Sequence, residues 1–219
     1  MFRTLSLITL LLLLTTVPVY SGPANPKTIS IAEARALPLG TIVTIDGSVT
    51  VPSGAFSSST FDQGFAIQDR TGGIYISTPD NLGFDLRQQV RVTGRLADTV
   101  LPGLLVLVDV TQTKAHGAGP KVRPLPVATG DIGEDTEGKL VKITGTITQP
   151  VINDLPFGFI VFMNDGSGEV HAFVAASTGI DVSGLSQGQT IEVTGFSGQF
   201  ADSFEVDPRN QSDIRVLSE

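Results

Sequence analysis

The chain has 219 residues, a formal net charge of −8, a sequence pI of about 4.7 and no cysteine. The absence of cysteine excludes disulfides, thiolate metal sites and a lipid-modified N-terminal cysteine. Residues 27–120 are nearly neutral, whereas residues 121–219 carry 14 acidic and 6 basic side chains, so the second half is expected to repel phosphate backbones.

The N-terminal residues 1–21 predict a secretory signal peptide. Arg3 precedes an apolar run from Leu5 to Leu14, and Val19 and Ser21 are spaced as at a cleavage site. The run is too short for a typical membrane-spanning helix. We therefore expect an exported protein, periplasmic or extracellular, with no stable membrane insertion after cleavage. An uncleaved N-terminal anchor is the alternative.

The rest of the sequence repeats itself. The segment "GTIVTIDGSVT", Gly40–Thr50, matches "GKLVKITGTIT", Gly138–Thr148. Further segments match at similar offsets when Asp69 is aligned with Asp165. Because the matches are strand-like segments and the offsets drift slightly, the pattern indicates two copies of one domain.

The repeat also predicts the domain boundaries. The first copy is assigned to residues 27–116 and the second to residues 131–219. Residues 117–130 between them are rich in Gly and Pro, a composition that favours an extended linker.

Within each copy, the order of elements predicts a small barrel. A short helix is expected first, because Ser30 and Glu33 form a capping-box pattern. A strand of alternating apolar and polar residues follows, with a bend expected at Gly47 in one copy and at Gly145 in the other. A hairpin and two further strands complete five strands per copy. The predicted fold is all-β, with two tandem five-stranded Greek-key barrels of the OB-fold type.

The segments "TISIAEARALPLGTIVTIDGSVT", "FAIQDRTGGIYI", "VRVTGRL" and "DPRNQSDIRVL" also carry a resemblance. They resemble OB-fold modules that occur singly or in tandem in exported bacterial proteins, some of them beside secreted nucleases. The resemblance covers nearly the whole chain after the signal. It implies an OB fold and a role in binding nucleic acid, and no nuclease catalytic segment accompanies the modules.

Strand parity in the first copy suggests a binding surface. Tyr75 is expected to point away from the core, with Gln68 and Arg91 on the same outer side. Arg70 is placed at the hairpin tip, and Arg95 follows the fourth strand's glycine. One aromatic ring among arginines is a minimal stacking platform for single-stranded nucleic acid.

The second copy differs on the same surface. His171 takes the place of the tyrosine, and Phe173 and Lys142 are also expected to point outward. Glu192 stands where the first copy has an arginine, which reverses the charge. The second barrel is therefore expected either not to bind a polyanion or to use its face otherwise, for example by packing Phe173 against the first barrel or a partner.

No pattern predicts catalysis, a metal site or a cofactor. The two histidines, His116 and His171, lie in no recognised catalytic motif. The acidic run Asp131–Glu137 lacks the spacing of a calcium loop, and Asn164–Glu169 has the composition of a hairpin turn. A hydrolase remains the weakest of the hypotheses.

Two binding functions remain. The first is an exported, non-catalytic protein that binds single-stranded nucleic acid through the outer face of the first barrel. The alternative is a cell-envelope interaction or ligand-binding module that recognises a protein, a glycan or a small solute.

Overall fold

A computed structural model describes residues 27–101 and 103–218. The predicted signal peptide lies outside the described residues. Across the described ranges, no helix is long and apolar enough to cross a membrane. The chain folds into two closed five-stranded barrels in tandem, which confirms the predicted fold class.

Barrel 1 contains the first six strands. They are β1 (Thr28–Ile29), β2 (Ile42–Val51), β3 (Phe65–Gln68), β4 (Gly73–Ile76), β5 (Gln88–Asp98) and β6 (Leu105–Ala118), with helix α1 (Ile31–Arg35) after β1. The neighbours run β2-β3-β4-β6-β5, and β5 pairs with β2 to close the barrel. The β4–β6 pair is parallel and the other barrel pairs are antiparallel.

Barrel 2 repeats this order. Its strands are β7 (Leu125–Pro126), β8 (Leu140–Ile147), β9 (Ile152–Asp154), β10 (Gly158–Asn164), β11 (Glu169–Ala175), β12 (Thr190–Phe200), β13 (Ser203–Asp207) and β14 (Ile214–Ser218). The barrel runs β8-β10-β11-β13-β12 and closes through β12–β8, again with one parallel pair, β11–β13. In both barrels the fifth strand lies between the third and the fourth, which is the Greek-key order of the OB-fold.

The first strand of each barrel changes partner near the glycine at which a bend is predicted. In barrel 1, β2 pairs with β5 as far as Ser48 and with β3 from there onward. Gly47 lies at this change, and a Cβ on it would be 3.0 Å from the Cβ of Ile67. In barrel 2, Gly145 precedes the change from β12 to β10 at Thr146, and a Cβ there would be 3.0 Å from the backbone of β10. The glycines allow the close crossing that closes each barrel.

The predicted capping box is present at the start of α1. The Ser30 hydroxyl accepts a hydrogen bond from the Glu33 amide, and the Glu33 carboxylate accepts one from the Ser30 amide at 2.9 Å. These two bonds satisfy amides that a helix start leaves without partners.

One aspartate in each barrel ties the hairpin of strands two and three to the segment that precedes strand one. Asp69, in the β3–β4 turn, accepts a hydrogen bond from the Ile31 amide at 3.0 Å. Asp165, in the β10–β11 turn, accepts from the Thr129 amide at 3.2 Å and from its hydroxyl at 2.8 Å. Asn164–Glu169 therefore forms the predicted hairpin turn, and the alignment of the two aspartates reflects a shared structural role.

Each barrel has its own core, and the connection between the barrels is partly structured. The barrel 1 core includes Ile45, Phe65 and Val92, and the barrel 2 core includes Ile143 and Val193. Strand β6 continues to Ala118, and β7 pairs in parallel with β8, so both reach into the segment predicted as linker.

Candidate functional site

The two barrels pack face to face. In barrel 1 the contacting surface is the outer side of the sheet around strands two, three and five, whereas barrel 2 contributes residues from the end of its third strand and from its fourth strand. A third apolar cluster, the interface cluster, lies between the barrel cores. Its buried members are Val51, Phe56, Ala66, Tyr75, Leu104 and Val106 from barrel 1 and Ala175 and Phe196 from barrel 2.

Polar contacts also join the barrels. The guanidinium of Arg35 lies 2.8 Å from the carboxylate of Glu137, which is fully buried. Burial raises the pKa of Glu137, although Arg35 opposes the shift. Gln68 accepts a hydrogen bond from the Leu140 amide at 2.8 Å. These contacts are specific and buried, so the barrels are held in one orientation.

Tyr75 points away from the core of barrel 1, as strand parity predicts, but the prediction that it is exposed is wrong. It is 1% exposed, because its ring packs near Phe56 and Phe196 with centroid separations of 6.2 and 6.0 Å. Its hydroxyl donates to Asp62 at 2.7 Å, and burial raises its pKa above the usual range. Parity identifies the side of a strand, but it gives no sign that a second barrel covers that side.

A cleft of about 700 Å³ opens where the barrels separate. Barrel 1 contributes the β2–β3 and β5–β6 loops to its walls, and barrel 2 contributes the β9–β10 and β12–β13 turns. OB-folds bind ligands on strands two and three and on the loops after strands one and four. The cleft lies at that place on barrel 2, with loops of barrel 1 as its opposite wall.

Exposed apolar side chains surround the mouth of the cleft. Phe61 of barrel 1 is 77% exposed, Phe157 of barrel 2 is 56% exposed, and their ring centroids are 6.4 Å apart. Val100, Leu101 and Phe200 extend this apolar rim. Phe61 also has a φ of 56°, in the left-handed region that disfavours residues with a Cβ. Backbone strain and exposed aromatic area together indicate a ligand-contacting surface.

Asp62 holds the loop that carries Phe61. Its Oδ2 accepts hydrogen bonds from the hydroxyls of Ser58 at 2.7 Å and Thr60 at 2.8 Å, and its Oδ1 accepts from Tyr75. Burial opposes ionisation of the Asp62 carboxyl, but hydroxyl hydrogen bonds outweigh it and lower the pKa. The buried Tyr75 thus positions the exposed Phe61 through one carboxylate.

The floor of the cleft is formed by outer side chains of β11 and β13. They are His171, Phe173, Glu205 and Asp207. Nε2 of His171 lies 3.0 Å from a carboxylate oxygen of Glu205. Asp207 is 7% exposed, and its Oδ1 has no hydrogen-bond partner among the described residues. Burial, together with the Glu205 carboxylate, raises the pKa of Asp207 well above its usual range.

The cleft offers aromatic faces and hydrogen-bond acceptors. Among the described residues that line it there is no lysine or arginine, whereas four carry carboxylates: Asp62, Asp154, Glu205 and Asp207. Such a surface suits a flat ligand that brings hydrogen-bond donors, and it disfavours phosphate. Within residues 27–101 and 103–218, no group of three or more His, Asp or Glu side chains could hold a metal ion.

Comparison with known proteins gives one relative by sequence. No protein-family profile matches the chain. Over 213 residues it is 30% identical to Endonuclease YhcR from Bacillus subtilis (strain 168), and the match spans both repeats. The chain is a tandem pair of OB-fold modules. The match covers 90% of this chain but 16% of the endonuclease, so most of the relative has no counterpart here.

Three solved structures have low-scoring similarity to the tandem OB-fold pair. An OB domain from Methanosarcina mazei is 20% identical, covering 45% of this chain and 88% of that chain, with a TM-score of 0.38. A murine DNA-binding protein bound to double-stranded DNA is 10% identical, with coverages of 80% and 96% and a TM-score of 0.39. A replication protein A heterotrimer bound to single-stranded DNA is 12% identical, with coverages of 84% and 51% and a TM-score of 0.33. The fold assignment rests on the strand order instead.

The arginines predicted to surround Tyr75 are engaged elsewhere in the tandem OB-fold pair. Arg91 forms a salt bridge with Asp46, and Arg95 forms one with Asp109, each at 2.6 Å. Both arginines lie on β5 and do not line the cleft. The predicted platform of one tyrosine among arginines is therefore not assembled, because Arg91 and Arg95 each form a salt bridge with a carboxylate on a neighbouring strand.

The other predicted residues divide between the interface, the surface and the cleft. Gln68 lies in the interface, Arg70 is exposed at the hairpin tip, and Lys142 lies 3.2 Å from Glu192 on the neighbouring strand. His171 and Phe173 do line the cleft, together with Tyr75. Phe173 also packs against the interface cluster, as one of the alternatives for barrel 2 predicted.

The sequence did not predict the aromatic residues at the rim of the cleft or the two carboxylates of its floor. Phe61 and Phe157 lie in loops, where periodicity carries no signal. Glu205 and Asp207 alternate with the core residue Val206 in "SFEVD", so strand parity could have identified them as outward side chains.

Proposed function

We propose that this chain is an exported, non-catalytic protein that binds single-stranded nucleic acid, with bases inserted in the cleft between the barrels. The observation that carries the proposal is the exposed pair Phe61 and Phe157 above the strand-two and strand-three face of barrel 2. OB-folds bind oligonucleotides on this face, and aromatic rings there stack on bases of any sequence.

The site differs from the one expected on barrel 1. Barrel 2 covers the face around Tyr75, whereas the corresponding face of barrel 2 borders an open cleft. Contact would be made mainly to bases, and the phosphates would stay outside the acidic floor. The similarity to a nuclease supports nucleic acid as the ligand class. Because the match covers a small part of that enzyme, we assign this chain a binding role rather than cleavage.

Export is part of the same proposal. Residues 1–21 have the charged, apolar and small-residue regions of a secretory signal. We place the mature protein in the periplasm or outside the cell, where its acidic surface favours solubility.

A titration with labelled single-stranded DNA of about 12 nucleotides tests the proposal. We expect binding that weakens only slightly between about 50 mM and about 200 mM salt, because there is no lysine or arginine among the described residues that line the cleft. Phe157→Ala should weaken binding about 5- to 150-fold, which corresponds to about 1–3 kcal/mol for one stacked base.

The matched control is Ile42→Ala, which removes an exposed apolar side chain outside the cleft, 64% exposed in the unmodified protein. This variant should bind like the unmodified protein. Absence of binding at low salt would refute nucleic acid as the ligand.

The carboxylate-rich floor favours a second candidate, an uncharged glycan. Sugar hydroxyls are hydrogen-bond donors, and OB-folds also bind oligosaccharides. Glycan binding would be independent of salt and would also require Phe157. A glycan that displaces labelled DNA would favour this alternative, as would a glycan that binds to the protein when DNA does not.

A further inference from the structure

Two buried acceptors in the cleft lack partners within the described chain. One is Oδ1 of Asp207, and the other is Oε1 of Gln199, whose amide nitrogen donates to the Ala201 carbonyl at 2.9 Å. Both side chains line the cleft. A buried acceptor without a donor is unfavourable, so these two atoms are positions at which a ligand or a water molecule can supply a donor.

The Asp207 side chain lines the cleft but is largely buried, with 7% of the residue exposed. Glu205 is also an acceptor and is engaged by His171. Gly198, on the adjacent strand, carries no side chain, and a Cβ at that position would be 2.8 Å from Oδ2 of Asp207. The glycine thus leaves space beside a carboxyl group that no lysine or arginine in the described cleft lining neutralises.

The edges of the four bases differ in how well they match such a carboxylate. Guanine presents two adjacent donors, N1–H and the 2-amino group. Thymine presents one N–H between two carbonyl oxygens, and adenine and cytosine place a ring acceptor beside the amino group. In single strands these edges are free to be read. Two parallel N–H···O bonds to one carboxylate are the strongest arrangement available here.

We propose that the cleft selects guanine, with the Asp207 carboxylate in its ionised form accepting hydrogen bonds from N1–H and the 2-amino group. The inference rests on the proposed binding of single-stranded nucleic acid and assigns its base preference. Phe157 and Phe61 supply stacking without selectivity, and Asp207 supplies the selectivity.

Three labelled oligonucleotides of about 12 nucleotides separate this inference from the proposed function. One contains only thymidine, one has a single central guanine among thymidines, and one has hypoxanthine, which lacks the 2-amino group, at that position. We expect the guanine strand to bind about 5- to 150-fold tighter than the thymidine strand, and hypoxanthine to lose most of this gain. Asp207→Asn should bind all three equally.

Asp80→Asn, which changes an exposed carboxylate outside the cleft, is the control and should keep the preference. Equal binding of the guanine and thymidine strands by the unmodified protein would overturn the inference and leave the proposed function intact. If none of the strands binds, both fail. If Asp207→Asn does not fold, the unmodified protein still tests the inference: equal binding of the guanine and hypoxanthine strands would show that the 2-amino group is not recognised.

Discussion

Asp207 is the residue at which stability and the proposed function oppose each other. Its carboxyl group is buried beside Glu205 and has an oxygen without a partner among the described residues. The same features that keep it free for a ligand raise its pKa. The folded chain therefore holds the Asp207 proton more tightly than the unfolded chain does, and stability falls as pH rises from about 3.9 through the folded-state pKa.

We expect Asp207→Asn to be more stable than the unmodified protein at about pH 8, by about 1–3 kcal/mol, because asparagine carries no buried charge. The difference should shrink as pH falls to about 4 and below, where the aspartate becomes protonated in both states. Urea unfolding of the two proteins at several pH values measures it. Asp80→Asn should show no such trend, and a difference independent of pH would contradict the assignment.

Tyr75 shows where residue-level reasoning succeeded and where it failed. Alternation in "GIYI" gave the correct side of the strand, because neighbouring side chains in a strand must point to opposite faces. Its exposure could not be derived in the same way, because the covering residue Phe196 comes from the other barrel. Parity also places Arg91 on the outer side, where it is exposed, but the carboxylate partners of Arg91 and Arg95 depend on cross-strand register.

At the scale of elements, the strands, hairpins and bends were the most predictable features. Gly47 and Gly145 mark the change of partner in the two first strands, and both had been expected as bends. The hairpin aspartates Asp69 and Asp165 each accept a hydrogen bond from a backbone amide at the start of their barrel. Hydrogen bonds from the Ser167 hydroxyl and amide, followed by Thr129, lower the pKa of Asp165.

Substitution of Thr129 tests whether the hydrogen bonds between this hairpin and the start of barrel 2 contribute to stability. Thr129 is buried, and its single O–H lies within hydrogen-bond distance of two acceptors, Oδ1 of Asp165 at 2.8 Å and the Gly168 carbonyl oxygen at 2.6 Å, while its oxygen accepts from the Asp165 amide. We expect Thr129→Val to destabilise the protein by about 1–3 kcal/mol, because it leaves these acceptors short of a donor while preserving shape. Thermal and urea unfolding measure the loss. Thr144→Val, at an exposed position on β8, is the control; equal stability of the two variants would mean that these hydrogen bonds contribute nothing.

At the scale of the whole molecule, the barrels meet so closely that one contact is between backbones. A Cβ on Gly73 would overlap the carbonyl oxygen of Gly138, whereas a Cβ on the adjacent Gly72 would be 3.5 Å from its nearest neighbour, a side-chain atom of Ile31. Neither glycine has a positive φ, so the two positions differ mainly in space.

We expect Gly73→Ala to force the barrels apart, with a loss of about 1–3 kcal/mol, typical of overpacking. The protein should also become larger in small-angle scattering, because the cleft and the interface cluster lose their alignment. Gly72→Ala should behave like the unmodified protein in both measurements. If the two variants are indistinguishable, the barrels are not held by this contact.

The sequence was sufficient for the two barrels, their strand content and their bends, because alternation, turn chemistry and glycine positions act over a few neighbouring residues. Repetition then showed that the same unit occurs twice. Tertiary packing decided which face is open. Tyr75 is covered and Asp207 borders a cleft because of how the two barrels pack against each other. The residues that meet in this packing are about a hundred positions apart in the chain. No local sequence pattern encodes this packing. The proposed binding surface therefore lies in the cleft between the barrels, whereas the sequence alone predicts it on the first barrel.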